Sequence, residues 1–237
     1  MTSSSAPQGA HDLLGLYTAL ADFLWSLRDM RPLHISQKTD GSFVTEVDVD
    51  FEAAILEIVL STGIASSPLI VREENADNHK DEYSWKDAII VIDPIDGTEN
   101  FISGSPLYGT AVSVVTRDAE LHVLCAPSLG IILSNIEMSW LPASVTSSVD
   151  LFSTKCLDRP IAEPDSARVL GSSVVMFAEF LRGAARSYTY CRGAKIWDCY
   201  TGLSLARLAR CNIELSENDI SRWVLAPTHL TRFKLTW

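Results

Sequence analysis

The sequence predicts a layered α/β fold that delivers its chemistry at the end of a buried strand. Three observations support this reading. A helical stripe opens the chain, a β-branched run at 87–92 breaks off at a carboxylate, and short apolar runs then alternate with helical segments as far as residue 211. The 237 residues, 47% of them hydrophobic, suffice for one large domain.

Taken in order, the Ser-rich opening has no basic stretch followed by an apolar run. Residues 1–10 therefore read as a flexible tail, not a signal peptide. The remainder, 11–237, reads as a single domain with lobes of roughly 11–140 and 141–237. Residues 11–28 carry Leu13, Leu14, Leu16, Tyr17, Leu20, Phe23, Leu24 and Leu27, a helical stripe of period near 3.6. Asp40-Gly41 is a turn signal, and 48–60 predicts a second helix with Asp48 and Asp50 in its first turn, where acidic groups suit the dipole. The run DAIIVI at 87–92 is a buried strand that delivers Asp93 to its carboxyl end. Strands at 109–115, 120–126 and 131–138 form an antiparallel meander. The segment 141–167, with Pro142, Pro160 and Pro164, is loop-rich. A helix at 173–183, a strand at 187–191 and a helix at 198–211 complete the alternation.

Composition excludes several function classes. A net charge of −11 lacks the basic footprint of a nucleic-acid binder. No stretch reaches the roughly 20 apolar residues of a spanning helix, and no GxxxxGK[ST] loop occurs. The five cysteines are odd in number and lack zinc-type spacing, which predicts reduced thiols in a cytoplasmic protein. Neither nucleic acid nor membrane is expected as a partner.

The informative stretch is Asp93-Pro94-Ile95-Asp96-Gly97-Thr98-Glu99-Asn100-Phe101. Two carboxylates three positions apart repel unless a cation lies between them, and an all-oxygen donor set suits Mg²⁺. Gly97 and Thr98 can turn backbone N–H groups toward an anion. Asp-Pro or Asp-Gly alone is an ordinary turn dipeptide. The full string is far more specific.

That string resembles the signature of the inositol monophosphatase superfamily, which also includes bisphosphate nucleotidases, fructose-bisphosphatases and histidinol-phosphate phosphatases. Further segments resemble it in the same order: Lys38 to Asp48 with Ser42, Val44 and Thr45; Glu73-Glu74 after Leu69-Ile70-Val71; Gly171-Ser172-Ser173; and Trp197-Asp198 opening a helix of small residues. Singly, each has a plainer explanation: a solvated pair for Glu73-Glu74, a first-turn acid for Asp48, an N-cap for Asp198, a surface lysine for Lys38. Together, in this order, they do not arise by coincidence.

The resemblance implies an α-β-α-β-α sandwich of the inositol monophosphatase/fructose-bisphosphatase type and a lithium-sensitive, Mg²⁺-dependent phosphatase with two or three ions per site. Glu73, Asp93 and the Ile95 carbonyl would hold one ion, and Asp93, Asp96 and Asp198 a second. Asp48 and Thr98, with Glu73, would serve the attacking water. Asp96, Gly97, Thr98 and Ser172 would face the phosphate or substrate. The substrate would be a small phosphorylated cyclitol, sugar, nucleotide or amino alcohol, and the protein a homodimer.

Two departures redirect this expectation. Arg72 stands where the family usually has glycine, and is expected either to contact a substrate anion or to point to solvent. Cys191 stands where inositol-type enzymes carry a glutamate that receives substrate hydroxyls, while Arg192 and Lys195 add positive charge suited to a second phosphate or a carboxylate. The middle region is also short, which leaves open a catalytically weak, phosphometabolite-binding regulatory protein of the same fold.

Overall fold

The computed structural model describes residues 8–74, 87–157, 166–215 and 231–237. The expected tail at 1–10 lies mostly outside them. The chain opens with α1 (Gln8–Leu24), prolonged by a 3-10 turn at Trp25–Asp29, and a short hairpin of β1 (Ile35–Gln37) and β2 (Phe43–Thr45). Gly41 closes that hairpin in the left-handed region at φ 88°. α2 (Glu46–Ser61) begins two residues before expectation because Thr45 and Asp48 form a reciprocal capping box.

The first sheet runs in the order β3 (Leu69–Arg72), β4 (Ala88–Asp96), β5 (Gly109–Thr116), β6 (Glu120–Ala126) and β7 (Ile131–Ser134). β3 lies parallel to β4; the other pairs form the expected antiparallel meander. β7 stops short of residue 138 because Asn135 replaces the ladder with its side chain, accepting from the His122 N–H and donating to the Glu120 carbonyl. One face of the sheet, with Ile90, Ile92, Val112 and Val123, packs on Leu16, Leu20, Phe51 and Ile55 of α1 and α2. The other, with Ile89, Val91, Ala111 and Leu124, packs on α4 (Ser173–Leu181) and α5 (Ile196–Leu208). β4 is buried on both faces, which is why it reads as an unbroken apolar run.

Beyond α4 and α5 lies a second sheet in the order β11 (Asn212–Leu215), β12 (Thr231–Thr236), β10 (Ser187–Ala194), β8 (Asp150–Phe152) and β9 (Ala167–Arg168). The layers among the described residues are therefore α-β-α-β. The outer helix layer of a five-layer sandwich is not among them, and 158–165 and 216–230, which join strands of this second sheet, lie outside the described residues. The sequence reading missed β8, β9, β11 and β12, which are short or lie at the chain's end.

α5 is buried along most of its length, with Arg207 exposed near its end, so it carries no clear amphipathic stripe. Gly202 makes this packing possible: a Cβ there would lie 2.2 Å from the Phe177 ring on α4. α5 starts at Ile196, two residues earlier than expected, with Lys195 at the N-cap; Asp198 is thus a first-turn residue and not the cap.

The expectation of five reduced thiols is corrected. β8 runs parallel to β10 with Phe152 opposite Thr189, and the following 3-10 turn brings Cys156 beside Cys191, where the two form a disulfide. Cys125, Cys199 and Cys211 are free and buried. Alkylation of the denatured, unreduced chain should accordingly modify three cysteines, and prior reduction should expose two more. Intact-mass measurement checks this, and five alkylated cysteines without reductant would contradict it.

Candidate metal centre

The site forms where β4 leaves the sheet. Between Asp93 and Asp96 the ladder to β5 slips: Asp93 faces Ala111 but Asp96 faces Gly109, so β4 carries one extra residue. Pro94 cannot donate a ladder hydrogen bond, and such a bulge re-aims the side chains around it. Thr110 ties the bulge down by donating to the Pro94 carbonyl at 2.7 Å. Gly109 is required there, since a Cβ would lie 2.5 Å from the Cys125 carbonyl oxygen and from Val174.

The carboxylates of Asp93, Asp96 and Asp198 converge, with one oxygen from each lying within 4.8 Å of the others. Asp93 is 1% exposed and neither of its oxygens has a hydrogen-bond donor among the described residues. The Glu73 carboxyl lies within hydrogen-bonding reach, but both groups are acceptors unless they share a proton. Burial, followed by the charges of Glu73, Asp96 and Asp198, pushes the Asp93 carboxyl well above the usual range. Asp96 is pushed up to about 7, mainly by burial. Opposing that shift, its Oδ2 accepts from the Ser172 hydroxyl at 2.5 Å and the Val174 N–H at 2.6 Å. Asp198 is also raised well above the usual range, by burial and then by Asp96 and Glu73, although it accepts from the Lys195 N–H and the Tyr190 hydroxyl.

Lys38, on the loop between β1 and β2, donates to Glu73 at 3.1 Å and to Glu74 at 2.9 Å. Burial raises both acids, Glu74 to about 7. Asp48 uses Oδ2 to accept from the Thr45 N–H and hydroxyl, and Oδ1 to accept from the Thr98 hydroxyl at 3.2 Å. Thr98 also lies 3.0 Å from the Ile95 carbonyl oxygen, to which it can donate instead. Gly97 caps the short α3 (Thr98–Ile102) at φ 88°; a Cβ there would sit 3.0 Å from that of Ser172.

This donor set fits a divalent cation. It consists of oxygens, Asp93 is buried and Asp96 and Asp198 are half-buried, and Asp93 has no donor among the described residues, so protons or hard cations must compensate the charge. Not every expected residue faces the cluster. Ser172 is 1% exposed and caps α4 while holding Asp96. Arg192 and Lys195 are exposed where β10 turns into α5, with the Lys195 ammonium 5.8 Å above the Trp197 ring. Arg72 turns toward α2, where its guanidinium lies 3.4 Å from the buried Glu52. The sequence reading missed Glu52, Tyr190 and the cap role of Thr45. Thr45-x-x-Asp48 was legible as a capping box, and Glu52 as an acid set between apolar Phe51 and Ile55.

A second polar group resembles a nucleophile relay but cannot act as one. Ser113 lies 2.8 Å from His122, which lies 3.4 Å from Glu120, yet Ser113 and His122 are fully buried.

A layered α/β framework with a carboxylate cluster at the end of β4 defines a protein built to hold acidic groups where a metal ion could bind. The sequence model of the inositol monophosphatase family matches residues 15–136. The chain belongs to that family. Among relatives, the fructose-1,6-bisphosphatase/inositol-1-monophosphatase of Aquifex aeolicus is 33% identical over 88 residues, 37% of this chain and 31% of that one. The Nus factor SuhB of Vibrio cholerae is 35% identical over 104 residues, 42% of this chain and 35% of that one. The matched stretches thus span about a third of these relatives' length. The fold extends further: a Staphylococcal inositol monophosphatase-1 soaked in LiCl superimposes with a TM-score of 0.72 at 15% identity, covering 99% of this chain and 92% of that one. The Thermotoga maritima IMPase gives 0.68 at 18% identity, covering 93% and 91%.

The raised acids carry a pH signature. A carboxyl whose folded pKa is raised contributes stability below its unfolded pKa and loses it as pH rises through the folded value. Metal-stripped protein should therefore melt at lower temperature at about pH 8 than at about pH 5.5, and Mg²⁺ should raise the melting temperature more at the higher pH. Thermal unfolding with chelator and with Mg²⁺ reads both; an equal Mg²⁺ effect at the two pH values would contradict the cluster as the binding site.

Proposed function

We propose that residues 11–237 act as one catalytic unit, a Mg²⁺-dependent phosphatase that hydrolyses a small phosphate monoester. The convergence of Asp93, Asp96 and Asp198 around a donor-free carboxylate carries the proposal. Two or three ions would be held by Glu73, Asp93 and the Ile95 carbonyl, by Asp93, Asp96 and Asp198, and beside Asp48. When bound, they supply positive charge that neutralises phosphoryl oxygens and makes water more acidic.

The chain's own residues do the rest. The Thr98 hydroxyl can take a proton from the attacking water while passing its own to Asp48 Oδ1. Asp48 is prepared to receive it, because burial raises its pKa while Thr45 fixes its orientation. The backbone N–H groups of Gly97 and Thr98 orient the phosphate at the opening of α3. Ser172 serves by holding Asp96, and any contact of its own with substrate would be through its loop.

The mouth favours a substrate with a second anionic group. Cys191 is held in its disulfide and offers no carboxylate to sugar or cyclitol hydroxyls, whereas Arg192 and Lys195 are exposed beside it. We read the enzyme as a lithium-sensitive homodimer, a reading supported by the family resemblance; the expected cytoplasmic location loses its reduced-thiol argument with the Cys156–Cys191 disulfide. No described helix is long and apolar enough to cross a membrane.

Purified protein should release phosphate from a monoester with Mg²⁺, and Asp96→Asn should lower that rate at least ~100-fold, close to 3 kcal/mol of barrier. Unchanged turnover in the variant would defeat the assignment. Across a panel of monophosphates and bisphosphates, those with a second phosphate should rank first, and Lys195→Ala should raise their KM more than that of simple monophosphates. The other reading, a regulatory binder with little turnover, draws on the same missing carboxylate at position 191. Tight calorimetric binding of a phosphometabolite with no phosphate release across the panel would favour it.

A further inference from the structure

β3 makes its last ladder pair at Arg72, opposite Ile92, so Glu73 stands beyond the end of the sheet. A side chain meant to hold a cation there needs its backbone fixed by something other than the sheet. Glu52 supplies that constraint. It lies one helical turn past Asp48 on α2, 1% exposed, among apolar neighbours. Its Oε2 accepts the Glu74 N–H at 3.0 Å, and its Oε1 lies 3.4 Å from the Arg72 guanidinium. The two contacts fall on the residues immediately before and after Glu73.

We propose that Glu52, with Arg72 as its counter-charge, is a positioning residue that clamps both flanks of Glu73 and thereby sets the affinity of the centre for divalent cations. The inference rests on the metal-dependent reading above. A buried ion pair adds little net stability over apolar packing of the same volume, and what this pair fixes is the position of the chain at Glu73. It also joins two parts of the site, because the helix that carries Glu52 carries Asp48 on its preceding turn. Arginine at position 72 is integral to the device: it neutralises a carboxylate that burial would otherwise leave costly, and its fork can reach from the strand to the helix.

The test is calorimetric titration of the metal-stripped full chain with Mg²⁺ alone. Glu52→Gln keeps an acceptor for the Glu74 N–H but removes the charge that holds Arg72. It should weaken Mg²⁺ binding by about 10-fold or more, the scale typical of partners that orient a ligand. Arg72→Lys should retain most of the affinity, and Glu57→Gln, at an exposed position on the same helix, should match wild type. In turnover assays the Mg²⁺ needed for half-maximal rate should rise in Glu52→Gln more than kcat at saturating Mg²⁺ falls. If Glu52→Gln does not fold, the double variant Glu52→Gln/Arg72→Gln, which leaves no lone charge, should show the same weakening. A lower melting temperature with wild-type Mg²⁺ affinity in these variants would overturn the clamp and leave the metal centre standing. Failure of the wild-type chain to bind Mg²⁺ would overturn both.

Discussion

Carboxylates that cannot all be charged at once govern this molecule. Asp93, Asp96 and Asp198 bring oxygens within 4.8 Å of one another. At that spacing each pair of charges repels by about 3–4 kcal/mol for an effective dielectric near 20. Three such pairs approach roughly 10 kcal/mol, comparable with the whole net stability of a domain. The fold therefore tolerates the cluster only when protons or cations compensate it. The raised carboxyl pKa values describe the proton-bound alternative, and the all-oxygen donor set describes the cation-bound one.

The surrounding elements force the cluster to persist. An extra residue in β4 turns Asp93 and Asp96 into one space, and Pro94 stops the ladder that would otherwise straighten them. The cap of α4 then seizes Asp96 through Ser172 and Val174. α5 is buried along most of its length, and the contact of Gly202 with Phe177 fixes its depth, so Asp198 in its first turn is fixed too. Packing of ordinary apolar side chains thus sets distances between groups that would separate if free to do so.

The layered fold class was legible in the sequence, and so were the acids that converge at the end of β4. Asp93 to Phe101 is contiguous, so its carboxylates and turn residues could be read as a string. Asp48, Glu73 and Asp198 each needed a family resemblance, because nothing local distinguishes a ligand from a first-turn acid. Ser172 was read as facing substrate because its loop position was visible while its partner, Asp96, is 76 residues away. The Cys156–Cys191 pairing depends on the parallel register of β8 with β10, and a three-residue strand such as β8 leaves little pattern to read. β4 and the helices before it were legible for the opposite reason: periodicity and burial agree over many residues there. β11 and β12 pair with each other and with β10 through contacts that close only at the chain's end, so local pattern gave no notice of them.

How the carboxylates divide their oxygens explains why fold and chemistry coexist here. Asp48 gives Oδ2 to Thr45, completing a helix cap, and turns Oδ1 to Thr98. Asp96 gives Oδ2 to the start of α4, and Asp198 gives Oδ2 to Tyr190. These contacts lock the rotamers of the three carboxylates. Asp93 gives neither oxygen to a donor among the described residues, and it is buried at the bulge. A carboxylate so placed has nothing but protons or cations to balance it. It is therefore the carboxylate that most requires such compensation, while its tethered partners fix the edges of the cluster.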